Sequence, residues 1–164
     1  PPGVTVRAAV AAVAAEVEVP FAVGVPSPGL AGLRRTGTQA LDAARLRRRF
    51  EGFGDVVWFS DVRLELLMLG DEPTARQFVT DELGDLAGED ERSVRTRETL
   101  LAWLTTGSQA GAANRLGVHE NTVRLRIRHA EEVLADGLAD RRAEILTALR
   151  LAQLFGPLSA PTSA

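Results

Sequence analysis

The stretch GSQAGAANRLGVHENTVRLRIRHAEEVLA (residues 107–135) leaves a chain few ways to fold. Gly107 suits the left-handed position that closes a preceding helix, and Ser108 can cap a short helix running through Leu116. Gly117 then supplies the positive φ that a sharp turn needs, and Val118 can plug that turn into a core. Ala112 and Ala113 are small where two helices crossing steeply need their backbones close. The next helix runs from about His119 to Ala135, with Val123, Ile127, Ala130 and Leu134 on one stripe at spacings of four, three and four.

A rotation of 100° per residue puts Asn121, Arg124, Leu125 and Arg128 on the side opposite that stripe, with Thr122 and His129 at one edge. Arg126 falls nearer the core flank. Between His119 and Ala130 the only carboxylate is Glu120, whereas Arg124, Arg126 and Arg128 are cationic. These are the materials of groove reading. Arginines reach phosphates and bridge guanine O6/N7, asparagine pairs with adenine, and short polar residues near the helix start reach base edges. Asn121, Thr122, Arg124 and Arg128, then His119 and Arg126, are the expected DNA contacts. Ala112, Ala113, Gly117, Val118, Val123 and Ile127 are the expected scaffold.

Composition narrows the alternatives. A formal net charge of −3 gives no global basic field, so nucleic-acid binding has to come from a local patch. The absence of cysteine excludes disulfides, thiolate zinc sites and thiol catalysis. His119 and His129, ten positions apart, share no metal geometry and have no nucleophile or carboxylate at a recognisable spacing. The expectation is a protein that is not an enzyme and uses no metal or cofactor. With no apolar run long enough to span a bilayer and no signal sequence, a cytoplasmic location without membrane contact is expected.

The rest of the chain suggests a different layer. Val6, Val10, Val13 and Val17 recur at helical spacing, predicting a helix over about 5–15. Val19–Val25 and Asp55–Phe59 read as buried strands. Between them Ser27 is expected to cap a helix with Pro28 at its first position, running to about Phe50 and packing through Leu30, Leu33, Ala40, Leu41, Ala44 and Leu46. Gly52 and Gly54 break the chain, and Ser60 is expected to cap a helix over 61–69. The arginines at 34, 35, 45, 47, 48 and 49 read as a solvated helix face. Gly24–Gly32 superficially resembles a phosphate loop, but Pro26 and Pro28 delete N–H donors and no Gly-Lys-Ser/Thr follows. Trp58 is expected in the core. Two strands are few for an independent sheet, which suggests missing sequence upstream.

Downstream, Asp71-Glu72-Pro73 starts a helix to about Leu83, Gly84–Asp90 reads as a polar linker, and Glu91–Thr105 forms another helix that packs through Val94, Leu100, Leu101 and Leu104. Asp140 is expected to cap a last helix to Phe155. The expected fold is mostly α: a C-terminal helical helix-turn-helix domain (71–156) preceded by a small, truncated α/β segment (1–70), with a flexible tail at 157–164.

Leu100–Phe155 resembles the C-terminal helix-turn-helix domain of PucR/CdaR-type bacterial transcription regulators. The likeness lies in TLLAWL, AANRLGVHENTVRLRIRHAEEVL and DRRAEILTALRLA, with His-x-Asn-Thr-Val-Arg at 119–124 as its most specific part. Leu125 stands where the family usually has an aromatic. The first half, through VGVPSPGLAGLRRTGTQALDAARL and DVVWFSDVRLELLML, resembles the end of the GGDEF-like domain of such regulators, without a GGDEF or GGEEF signature. The resemblance implies a dimeric, sequence-specific regulator of transcription. Its partners would be double-stranded DNA, a second copy, and a small-molecule effector acting through an upstream domain. The competing reading is an effector-sensing or dimerisation module that does not touch DNA.

Overall fold

The computed structural model describes residues 2–17, 19–50, 53–135 and 137–156. The chain divides after Gly70 into two compact units. The fold is mostly α, with a single two-stranded sheet among the described residues.

In the first unit, α1 (Pro2–Val17) precedes β1 (Phe21–Val23), α2 (Gly29–Arg49), β2 (Val56–Trp58) and α3 (Phe59–Met68). The strands pair in parallel, Phe21 opposite Val56 and Val23 opposite Trp58, with α2 as the crossover. Ala43 and Leu46 of α2 close with Val57 and Val62 over a small core that Phe50, Phe53 and Phe59 complete. The segment resembling a phosphate loop is packed instead of open. The Val25 N–H donates to Gln39 Oε1 at 2.9 Å, and Thr36 Oγ1 donates to the Val25 carbonyl at 2.7 Å. A Cβ on Gly24 would lie 2.1 Å from the Thr36 carbonyl oxygen, so close backbone approach is the reason for that glycine.

Several local expectations fail here. The valine stripe of α1 is not its buried face: Val6, Val13 and Val17 are half exposed, and Ala14 is the buried residue. On α2, Leu30, Leu33 and Leu41 are exposed, because the helix meets the sheet through smaller Ala43 and through Leu46. Pro28, with extended backbone, occupies the cap position of α2, so Ser27 does not cap it. Strand β2 passes directly into α3 at Trp58, which leaves Ser60 inside the first turn, bonded to Asp61 and Arg7. Trp58 is half-buried and carries the Arg7 guanidinium 4.6 Å from its ring centroid, while Arg7 also pairs with Asp61 at 2.7 Å. The Gly52 break and the 157–164 tail lie outside the described residues.

The second unit contains α4 (Glu72–Leu83), α5 (Glu91–Thr106), α6 (Gln109–Leu116), α7 (Glu120–Leu134), α8 (Gly137–Asp140) and α9 (Arg142–Phe155). Helix α4 packs along α9, and α5 touches α6, α7 and α9, which makes α5 the central pillar. Val79, Leu83, Leu100, Ile145, Leu149 and Leu151 form its buried interior. The expected linker is ordered into a 3₁₀ turn (Gly84–Ala87) whose Leu86 is fully buried, and Arg97 fastens it by donating to the carbonyls of Leu86 and Gly88. Asp140 ends the short α8 and does not cap α9. Buried Leu138 holds that extra turn, and Arg141 at the head of α9 is tied to the buried carboxylate of Glu82.

The buried face of α5 holds Ser93, Thr96 and Thr99 beside Leu100, Ala102 and Leu104, whereas Val94 and Leu101 are only half-buried. Thr96 and Thr99 fit because each hydroxyl donates to the carbonyl one turn earlier, at 2.8 Å. Asp90 caps α5: its carboxylate accepts from the Ser93 hydroxyl at 2.6 Å and the Ser93 N–H at 3.0 Å. Asp71 caps α4 in the same way with Thr74. The hydroxyl bonds first, then the N–H bonds, hold both carboxyls below the ordinary aspartate value of 3.8.

Groups depressed in the folded state contribute stability above their unfolded pKa and lose it as pH falls through the folded value. The chain is therefore expected to lose stability progressively below about pH 4. Replacing Asp71 and Asp90 by asparagine, which still caps, should flatten that acid limb in urea titrations. An unchanged acid limb in the double variant would contradict this role for the two caps.

Candidate nucleic-acid interface

The interface is built on a crossing of small residues. Ala112 and Ala113 of α6 and Ala102 of α5 meet Val123 and Ile127 of α7 in one buried cluster, with Trp103, Leu116 and Val118 packed around it. Ala112 and Val123 have no exposed surface, so the backbones there are as close as alanine permits. Ser108 caps α6 by accepting from the Gly111 N–H at 3.0 Å. Gly117 ends it with φ +64°, a conformation that would strain any residue with a Cβ, and the Val118 N–H returns to the Ala113 carbonyl. The turn delivers the chain into α7 over only three residues, 117–119.

His119 sits at the cap of α7, where its Nδ1 accepts from the Asn121 N–H at 3.1 Å. That geometry leaves the ring proton on Nε2. Val123, Ile127 and Ala130 are buried, and Leu134, at the end of the stripe, is half-buried. Asn121, Arg124, Leu125 and Arg128 are all exposed on the other side. Arg124 donates to Asn121 Oδ1 at 2.6 Å, so the amide and the guanidinium form one edge. Arg128 has Glu132 3.4 Å away, an exposed pair of small energetic weight that leaves the guanidinium available to a phosphate.

Two of the expected contacts are less exposed than the others. Arg126 is half-buried, and its Nη1 donates to Thr99 Oγ1 at 3.1 Å, which fastens α7 to α5. Thr122 is half-buried at one edge of the exposed face. On that same edge the structure adds a residue that sequence reasoning missed. Arg92 of α5 has its Nη2 3.2 Å from His129 Nδ1, across 37 positions of sequence. No local pattern joins two residues that far apart; only the packing of α5 on α7 does. A cleft of about 580 Å³ opens between α5, α6 and α9. No α7 residue lines it, so it is separate from the exposed arginine edge.

A short capped helix, a glycine turn and a second helix that buries one stripe and exposes amide and guanidinium groups define a helix-turn-helix domain. Residues 96–152 match the family model of the PucR C-terminal helix-turn-helix domain. Over 78 residues the chain is 45% identical to an uncharacterized protein in the pkwA 5′ region of Thermomonospora curvata. That similarity covers 47% of this chain and 42% of the relative, so the chain spans less than half of the relative's length.

The crossing is the testable part of this geometry. Ala112→Leu forces a larger side chain into a fully buried site and is expected to cost about 1–3 kcal/mol in urea unfolding of the second unit. Thermal and urea stability equal to the parent would show that the helices are not in contact at Ala112.

Proposed function

We propose that the chain regulates transcription by binding a specific duplex sequence with α7 in the major groove, as a homodimer on a two-fold-related site. The observation that carries this reading is the composition of the exposed face of α7. Hydrogen-bonding groups suited to base edges, Asn121 and Arg124, stand beside Arg128, on a helix whose opposite side is locked into the core. A major groove admits one such helix, and arginine and asparagine are the residues that form bidentate contacts with guanine and adenine. In a chain of net charge −3, this local edge is where an anionic duplex would be met.

His119 contributes by fixing the first turn of α7, and Thr122 lies where a base edge or phosphate would be reached from the helix start. Arg126 acts by holding the reading helix on α5. As a dimer, two copies of α7 would meet half-sites about 34–36 Å apart, one helical turn. The first unit, with its helix-linked parallel strands, is read as the end of a degenerate GGDEF-like layer through which an effector bound upstream would act. The protein functions in the cytoplasm, where its duplex is found.

Duplex binding titrated against salt tests this reading. Affinity should fall steeply with salt, and Arg124→Ala and Arg128→Ala should each make the logarithmic slope shallower by about one. Salt-independent binding, or no binding to any genomic fragment, would contradict it.

A further inference from the structure

Leu125 is 53% exposed, and it is the one large hydrophobic residue so exposed among the described residues of the second unit. It does not stand on a general apolar surface. Its neighbours on the helix, one turn back and one turn on, are Asn121, Thr122, Arg128 and His129, all polar, and Arg124 precedes it. An aliphatic side chain exposed in the centre of a guanidinium and amide face costs solvation in the free protein. A duplex groove offers a matching apolar group in one place, the C5-methyl of thymine, which is also the one apolar mark that distinguishes A·T from the other base pairs.

We infer that Leu125 is a specificity-determining residue that packs against a thymine methyl, next to the base read by the Asn121 and Arg124 edge. This rests on the DNA-binding reading above and adds a base identity to it. The two arginines hold the helix to the backbone or to guanine, while Leu125 selects for thymine without a hydrogen bond. The contact is independent of salt, because it involves no counterion release.

The test uses the full chain and a duplex that it selects from a random pool, with each thymine replaced in turn by deoxyuridine, which lacks only the methyl. Replacement at one position of a half-site, and at its two-fold mate, should each weaken the parent chain about three- to fivefold, the scale of one buried methyl, equally at low and high salt. Leu125→Ser should bind the thymine and deoxyuridine duplexes alike, and Leu125→Met should keep the preference. The side chain is exposed, so both variants should unfold as the parent does. A deoxyuridine penalty at no position, or one that survives Leu125→Ser, would overturn the inference while the selected site still upholds DNA binding. If the parent selects no sequence, both readings fail. Loss of a dimer in Leu125→Glu, by light scattering, with no penalty at any thymine, would assign Leu125 to a protein interface and overturn it too.

Discussion

Close backbone approach between α6, α7 and α5 is the constraint on which the second unit depends. Ala102, Ala112 and Ala113 leave room for it, Val123 and Ile127 fill it, and the left-handed Gly117 makes the three-residue connection possible. Small side chains let the helices cross steeply without a void, and a void or a clash at that crossing would each be costly in a close-packed interior. Because the crossing fixes α7 along its buried stripe, its other side has a defined orientation. The residues that bury α7 decide which residues α7 presents.

The same packing sorts the arginines of α7 into two kinds. Arg124 and Arg128 are exposed and, among the described residues, held by partners on their own helix, Asn121 and Glu132, which a duplex could displace at little cost. Arg126 is committed to Thr99, whose hydroxyl is in turn committed to the Arg95 carbonyl. A half-buried arginine tied to a buried threonine orients α7 against its pillar. A basic run in sequence thus becomes an exposed edge and a brace, divided by one hundred degrees of rotation per residue.

Much of this was legible from local sequence. Gly107, Ser108 and Gly117 carry conformational demands that only a helix end or turn meets, and the four-three-four stripe of α7 fixes its buried side. The mostly α fold follows from such signals. What failed depended on contacts between distant residues. Ser27, Ser60 and Asp140 have capping chemistry, yet the helices start where Pro28, Trp58 and Arg141 direct the backbone. The valines of α1 have the spacing of a buried face, but whether a face is buried depends on what packs against it, and Ala14 is the residue covered. Thr96 and Thr99 carry no apolar signal, and their burial follows from hydroxyls bonded within the helix. Leu86, one large apolar residue in a polar stretch, gave no periodicity to read. Arg92 and His129 meet only through the tertiary fold.

The central claim is that the exposed face of α7 reads sequence. Selection from a random duplex pool by the full chain tests it most directly, in parallel with a variant carrying alanine at Asn121, Arg124, Leu125 and Arg128. All four side chains are exposed, so the variant should keep the helical circular dichroism and unfolding midpoint of the parent. The account predicts one recurrent sequence enriched by the parent and none by the folded variant. Enrichment of the same sequence by both chains, or of no sequence by the parent, would contradict it.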